Sequence, residues 1–230
     1  DKQFQRTVEE NAPAGQAIGL AIHGTDVDIN DTLAYEITSG HLDRQGRALV
    51  TVDGVTGQLK TTSISFDFEA KSFYMVTIKV KDSKQMEGVG FVALSIIDVN
   101  EPAKILNPSL SVSSLSSGGA LVGNPIVAID PDAAQQLHFS LLSSTNATYF
   151  AINRVSGQVS VNDETVGSNK LQQYIASGVY NVHVQVQDSG VNSLQTVTAV
   201  NIRVFEDNLP PIFDGALFQF SIDENAASGT

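Results

Sequence analysis

Residues 72–82, SFYMVTIKVKD, place Tyr74, Val76, Ile78 and Val80 at alternate positions, with Thr77, Lys79 and Lys81 between them. Successive side chains of a strand point to opposite faces, so this period of two marks a strand with one face buried. The pattern returns in residues 179–188, VYNVHVQVQD, where Tyr180, Val182, Val184 and Val186 alternate with Asn181, His183, Gln185 and Gln187. The two runs end at Asp82 and Asp188, 106 residues apart.

Other pairs recur at a similar interval. DGVTGQLKT (53–61) matches NRVSGQVSV (153–161) at an offset of 100, and DVD (26–28) matches DPD (130–132) at 104. VEENAPAGQ (8–16) returns as IDENAASGT (222–230), 214 residues later, or two repeats on. The chain therefore reads as repeats over 1–102 and 103–208, followed by the first strand of a third over 209–230. Each repeat holds about seven short β-rich runs separated by Gly, Asn and Asp turns, with no helical pattern. The expected fold class is all-β: tandem immunoglobulin-like Greek-key β-sandwiches, in which two sheets close over about a hundred residues.

Composition narrows the function. With 25 Asp+Glu against 13 Lys+Arg, the formal charge of −12 leaves nothing with which to neutralise phosphates, so nucleic acid is not expected as a partner. No run reaches the roughly 18 apolar residues of a membrane span, so no membrane contact by this segment is expected. Without cysteine there are no disulfides, thiolate metal sites or Cys nucleophiles. The end, FQFSIDENAASGT, stops in mid-pattern, which favours a piece of something longer.

The acids fall at strand ends. Glu10 follows the first apolar run, Asp26 and Asp28 lie in a loop, Asp67 and Glu69 sit in FDFEAK, Asp82 closes a core strand, and IDVNEPAK carries Asp98, Asn100 and Glu101. Any one of these is explained by turn chemistry, because Asp and Asn side chains bond nearby backbone. DVDIND also starts like a helix-loop-helix calcium loop, but its sixth position is Asp31 instead of Gly and its twelfth is Ile37 instead of Glu. Asp67 and Glu69 form a carboxylate pair such as a glycosidase uses. Alternate positions on an extended segment among other acids suit a cation better, and no enzymatic activity is expected.

Six ordered motifs carry a family resemblance: Glu10-Asn11-Ala12-Pro13-Ala14-Gly15, Asp26-Val27-Asp28, Thr56-Gly57-Gln58, Asp67-Phe68-Glu69, Val80-Lys81-Asp82 and Asp98-Val99-Asn100-Glu101-Pro102. In order and spacing they resemble the motifs of cadherin repeats, over the whole chain. Glu101 departs from the family's usual Asp and Pro102 from its usual Asn. The resemblance implies up to three Ca2+ ions between repeats 1 and 2. Their ligands would be Glu10, Asp67, Glu69, Asp98, Asn100 and Glu101, the carbonyls of Val99 and Pro102, and Asp130, Asp132 and Asp188 from repeat 2. Eight carboxylates at about 4–6 Å would repel one another by several kcal/mol at an effective dielectric near 20, and three Ca2+ would offset most of their charge. Asp26, Asp28 and Asp82 would form a half-site facing a preceding repeat.

The second junction reads differently. Counting by the spacing of repeat 1 puts Ser114 where Glu10 stands, Gln173 and Ile175 where Asp67 and Glu69 stand, Val204 for Asp98 and Glu206 for Asn100. Few or no ions are expected there, unless Asp163 and Glu164 are displaced ligands. GVGFVA (88–93) lacks the third glycine of a nucleotide loop and reads as a hairpin turn. His23, His41, His138 and His183 have no ligand spacing. Asn30 and Asn146 fit the N-glycosylation acceptor pattern.

What the resemblance implies is a calcium-dependent adhesion or mechanical-link segment, extracellular, in a membrane-anchored parent, with other cadherin-type ectodomains as partners, homophilic or heterophilic. Many family members exchange a Trp-bearing first strand; this chain has no Trp and cannot. The alternative is a non-adhesive spacer or accessory module of a secreted or surface protein.

Overall fold

A computed structural model describes residues 2–28 and 31–207. The expected third-repeat strand (209–230) and the acceptor Asn30 lie outside the described residues.

The first half contributes β1 (Lys2–Glu9), β2 (Ala34–Ser39), β3 (Val50–Val52), β4 (Leu59–Thr61), β5 (Phe73–Lys81) and β6 (Glu87–Ile97). Strands β1-β6-β5-β2 form one sheet, in which β1 runs parallel to β6 and the remaining pairs are antiparallel. β3 and β4 form a second, extended by a bridge between Ala17 and Lys60. The alternation in β5 works as expected, with Val76 and Ile78 in the core. They meet Val8, Val92, Leu94 and Ile96 of their own sheet and Ile18, Ile22, Leu49, Val50 and Leu59 from the other side. Each such burial is worth about 1.5–3 kcal/mol. Phe66 packs edge-on against Tyr74, with ring centroids 5.4 Å apart, and closes the core beneath the acidic loops.

The second half follows with β7 (Lys104–Ile105), β8 (Ser109–Ser113), β9 (Ala128–Ile129), β10 (His138–Leu141), β11 (Phe150–Ile152), β12 (Val159–Val161), β13 (Gly178–Gln187) and β14 (Gln195–Phe205). Its four-stranded sheet, β8-β14-β13-β10, repeats the order of the first, again with a parallel first pair. β11 and β12 pair as β3 and β4 do, and β7 pairs with β9. The fold is thus all-β with tandem sandwich repeats. The matched motifs DGVTGQ and NRVSGQ are the turns before β4 and β12. In each, the first side chain (Asp53 or Asn153) accepts two backbone N–H groups. Gly57 sits at φ +70°, where a Cβ would come 2.2 Å from the Ile22 carbonyl oxygen.

Three readings change. A helical turn, α1 (Asp163–Val166), appears where no helix was expected; Asn162 caps it by accepting the Glu164 N–H. Four residues are too few to show a period. GVGFVA is not a hairpin turn but lies inside β6, and the turn is the preceding stretch, where Asp82 N–H bonds the Met86 carbonyl. Asp67 and Glu69 are not extended: Asp67 opens a tight turn, its Oδ1 accepting Ala70 N–H at 2.7 Å and its carbonyl accepting Lys71 N–H.

By contact, the described chain divides into two compact units. One takes residues up to Leu106 together with 127–139 and 185–197; the other takes 107–126, 140–184 and the described residues from Thr198 on. The connector Asp98–Pro102 and the loop acids Asp130, Asp132 and Asp188 therefore belong to one unit.

Candidate metal centre

Glu10 is the anchor of the site. It is 2% exposed, and a buried carboxylate is tolerated only if its oxygens are bonded. Its Oε2 accepts Phe68 N–H at 2.9 Å and its Oε1 accepts Val99 N–H at 3.0 Å, so it ties the Asp67–Glu69 turn to the connector. Asn11, at φ +54°, donates Nδ2 to Glu101 Oε1 at 2.8 Å.

From the second repeat, Asp132 Oδ2 accepts the Glu101 N–H at 2.7 Å, and Asp130 Oδ1 accepts the Asp132 N–H. Asp188, 2% exposed, accepts Gly190 and Leu194 N–H groups, and its Oδ2 takes Asn100 Nδ2 at 3.2 Å. Glu10, Asp67 and Glu69 offer oxygens mutually within 4.8 Å, and so do Glu69, Asp98 and Asp132. Asn100 and Glu101 reach the site through these hydrogen bonds, while Pro102 is exposed.

The charges are not internally compensated. Loss of hydration raises the Glu69 carboxyl above its ordinary value, with Glu10, Asp98 and Asp132 pushing the same way. Asp98 is raised by lost hydration and by Asp132 and Glu10; Asp130 is raised by burial and by the charges of Asp132 and Asp188. Among the described residues, Asp130 Oδ2, Asp132 Oδ1 and Gln135 Oε1 are buried without a hydrogen-bond partner. The unpartnered carboxylate oxygens of Asp130 and Asp132, beside raised carboxylates, would suit a hard divalent cation better than a softer metal.

The expected half-site is built differently. Asp82, 8% exposed, accepts the Lys84 and Met86 N–H groups, and Asp26 Oδ1 accepts the Asp28 N–H. Asp28 instead pairs with Lys84 Nζ at 2.7 Å, and the third acid within 4.8 Å of Asp26 and Asp82 is Asp31. The half-site expected from the sequence, Asp26, Asp28 and Asp82, does not include Asp31. The usable signal was register: Leu33 and Tyr35 match Leu137 and Phe139 at offset 104, which places Asp31 opposite Gln135.

At the second exit, counting back by repeat-1 spacing misplaces the ligands by two residues. Glu10 N–H bonds the Ile97 carbonyl, and Ser114 N–H bonds the Phe205 carbonyl, so Ser114 does take Glu10's place. Val8 pairs with Ile96 and Val112 with Val204, so buried Val204 matches Ile96 and Glu206 matches Asp98. The cause is a longer hairpin: Asp188 N–H reaches the Leu194 carbonyl, two residues further than Asp82 reaches. Glu206 accepts Ser177 Oγ, and Asp207 accepts Ser113 Oγ. Asp163 and Glu164 lie in α1 and join no acidic cluster among the described residues. Asn146 is half-buried and donates Nδ2 to the Asn181 carbonyl.

Fold and site together define a tandem β-sandwich repeat protein with acidic loops gathered around a short connector. No protein-family model matches the chain. Human protocadherin Fat 4 is 31% identical over 238 residues, covering 99% of this chain and 4% of that protein. Human cadherin-20 is 24% identical, covering 100% and 30%. The chain thus spans only a small part of these relatives. Among solved structures, mouse cadherin-23 EC22-24 aligns with a TM-score of 0.57 at 25% identity, over 90% of this chain and 63% of that one. Protocadherin gamma B2 extracellular cadherin domains 3–6 align at 0.61 and 18%, over 89% and 46%. These likenesses support a cadherin-type repeat: in sequence and in fold the chain is similar to the extracellular repeats of cadherins and protocadherins.

Proposed function

We infer that this segment binds Ca2+ around the connector Asp98–Pro102 and uses it to stiffen the joint between repeats over 1–102 and 103–208, as part of a cell-adhesion or mechanical-link ectodomain. The observation that carries the reading is the pair of buried, unpartnered oxygens, Asp130 Oδ2 and Asp132 Oδ1, beside the Glu69–Asp98–Asp132 cluster. Glu10, Asp67, Glu69, Asp98, Glu101, Asp130, Asp132 and Asp188 supply carboxylates, Asn100 an amide oxygen, and Val99 and Pro102 carbonyls, for up to three ions. Binding would exchange carboxylate repulsion for shared coordination across the connector, so metal affinity becomes resistance to bending.

The second junction takes fewer ions or none. Ser114 has no charge to offer in Glu10's place, and sequence register puts Leu209 where Glu101 stands, although Glu206 keeps a carboxylate in Asp98's place. The parent protein is membrane-anchored and its partners are other cadherin-type ectodomains; no catalysis is assigned.

Calorimetric titration of the 230-residue chain with calcium, beside the double variant Asp98→Asn/Asp132→Asn, tests the reading. Wild type should bind and the variant should lose most of the uptake. A variant that binds as wild type does would place the ions elsewhere.

A further inference from the structure

The connector's Asn100 is held on both ends of its amide. Gln135 Nε2 donates to Asn100 Oδ1 at 2.6 Å, and Asn100 Nδ2 donates to Asp188 Oδ2 at 3.2 Å. The chain makes room for this: a Cβ on Gly190 would lie 1.7 Å from Asn100 Oδ1 and 2.7 Å from Gln135 Nε2. Ala134 takes φ +65°, a conformation non-glycine residues rarely adopt, immediately before Gln135. At the same register the first repeat has Asp31, a carboxylate that can only accept.

An amide has one accepting and one donating end, so the two contacts fix its direction. With the amide turned over, Asn100 oxygen would face the Asp188 carboxylate and its nitrogen would face the Gln135 nitrogen, two repulsions in place of two hydrogen bonds. An oxygen that accepts one hydrogen bond keeps a second lone pair, and such outer partners commonly set the orientation of a metal ligand.

We propose that Gln135 is a positioning residue of the connector's cation site, holding Asn100 with its oxygen turned to the metal through the Nε2–Oδ1 hydrogen bond. This rests on the calcium reading above. It requires the donating nitrogen of Gln135, not its proximity or charge, and it assigns Gly190 the role of keeping the space in which the two amides meet.

The test compares Gln135→Glu and Gln135→Ala with the wild-type chain in calcium calorimetry, with thermal unfolding in chelator as the measure of folding. Gln135→Glu keeps the shape and adds a negative charge but removes the donor. Both variants are expected to lose about 10–100-fold in calcium affinity while melting near wild type in chelator. Gly190→Ala, whose Cβ would crowd both Asn100 Oδ1 and Gln135 Nε2 where the two amides meet, should lose affinity as well. Glutamate binding as tightly as wild type or more tightly, or alanine binding unchanged, overturns the assignment alone. A wild-type chain that takes up no calcium overturns both it and the reading on which it rests.

Discussion

The loop acids of the two repeats use one local design and reach opposite electrostatic states. In both, an Asp accepts the N–H two residues on (Asp26 from Asp28, Asp130 from Asp132), and a buried Asp after a core strand caps the following hairpin (Asp82, Asp188). Around the connector, Asp132 receives only a backbone N–H on one oxygen, and the carboxyls of Asp98 and Asp130 are raised. At the first-repeat loop, Lys84 answers Asp28 directly, and the hydroxyl and N–H of Ser83 hold Asp31 below its ordinary value. Among the described residues, the same turns thus carry acids with no cation beside them around the connector, and in the first-repeat loop an acid, Asp28, that is paired with a lysine.

The contrast is most severely tested at Glu10. Glu10→Ala strands the Phe68 and Val99 N–H groups in a buried site, and about 2–5 kcal/mol of stability should be lost even in chelator, read by urea unfolding. An unchanged unfolding midpoint would show that the carboxylate serves only the metal.

The pH response comes next. Raised carboxyls in the folded state mean that the metal-free fold binds more protons than the unfolded chain. Glu69, Asp98 and Asp130 therefore contribute stability below their ordinary values, 4.5, 3.8 and 3.8, and it is lost as pH rises through their raised folded values. Asp31 has the opposite sign, stabilising above 3.8 and losing that contribution as pH falls through its lowered value. Asp98→Asn/Asp130→Asn should therefore flatten the rise in melting temperature on mild acidification in chelator, whereas Asp31→Asn should leave it in place.

The smallest effect is expected at Lys84, whose pair with Asp28 is solvent-exposed. Lys84→Ala should leave the melting temperature in chelator indistinguishable from wild type. A clear drop would mean that this pair, not the hairpin cap at Asp82, organises the first-repeat loop.

Much of this was legible from residue spacing. The alternation in β5 and β13, the Gly57 and Gly157 turns and the acids at strand ends are local signals, fixed by side-chain period and turn chemistry within a few residues. The Glu10 anchor and the Asp28–Lys84 pair depend on segments 58, 89 and 56 residues apart, and no local pattern announces them. Gln135 was missed because an amide among acids carries no charge signal. The second exit is misaligned by sequence because the interval of 106 at Asp82 and Asp188 is carried on to the exit, whereas the offset between repeats grows from 100 at β4 to 106 at Asp82 and 108 at Ile97.

That growth ends with two residues added in the hairpin after Asp188. A single added residue would have turned every side chain of β14 over, exposing Val200, Ile202 and Val204 and burying their polar neighbours. Adding two leaves inside and outside untouched and slides the strand so that a different residue emerges at its far end. Hairpin length thus works as a vernier, able to rewrite what a repeat offers to its successor while the core that carries it stays the same.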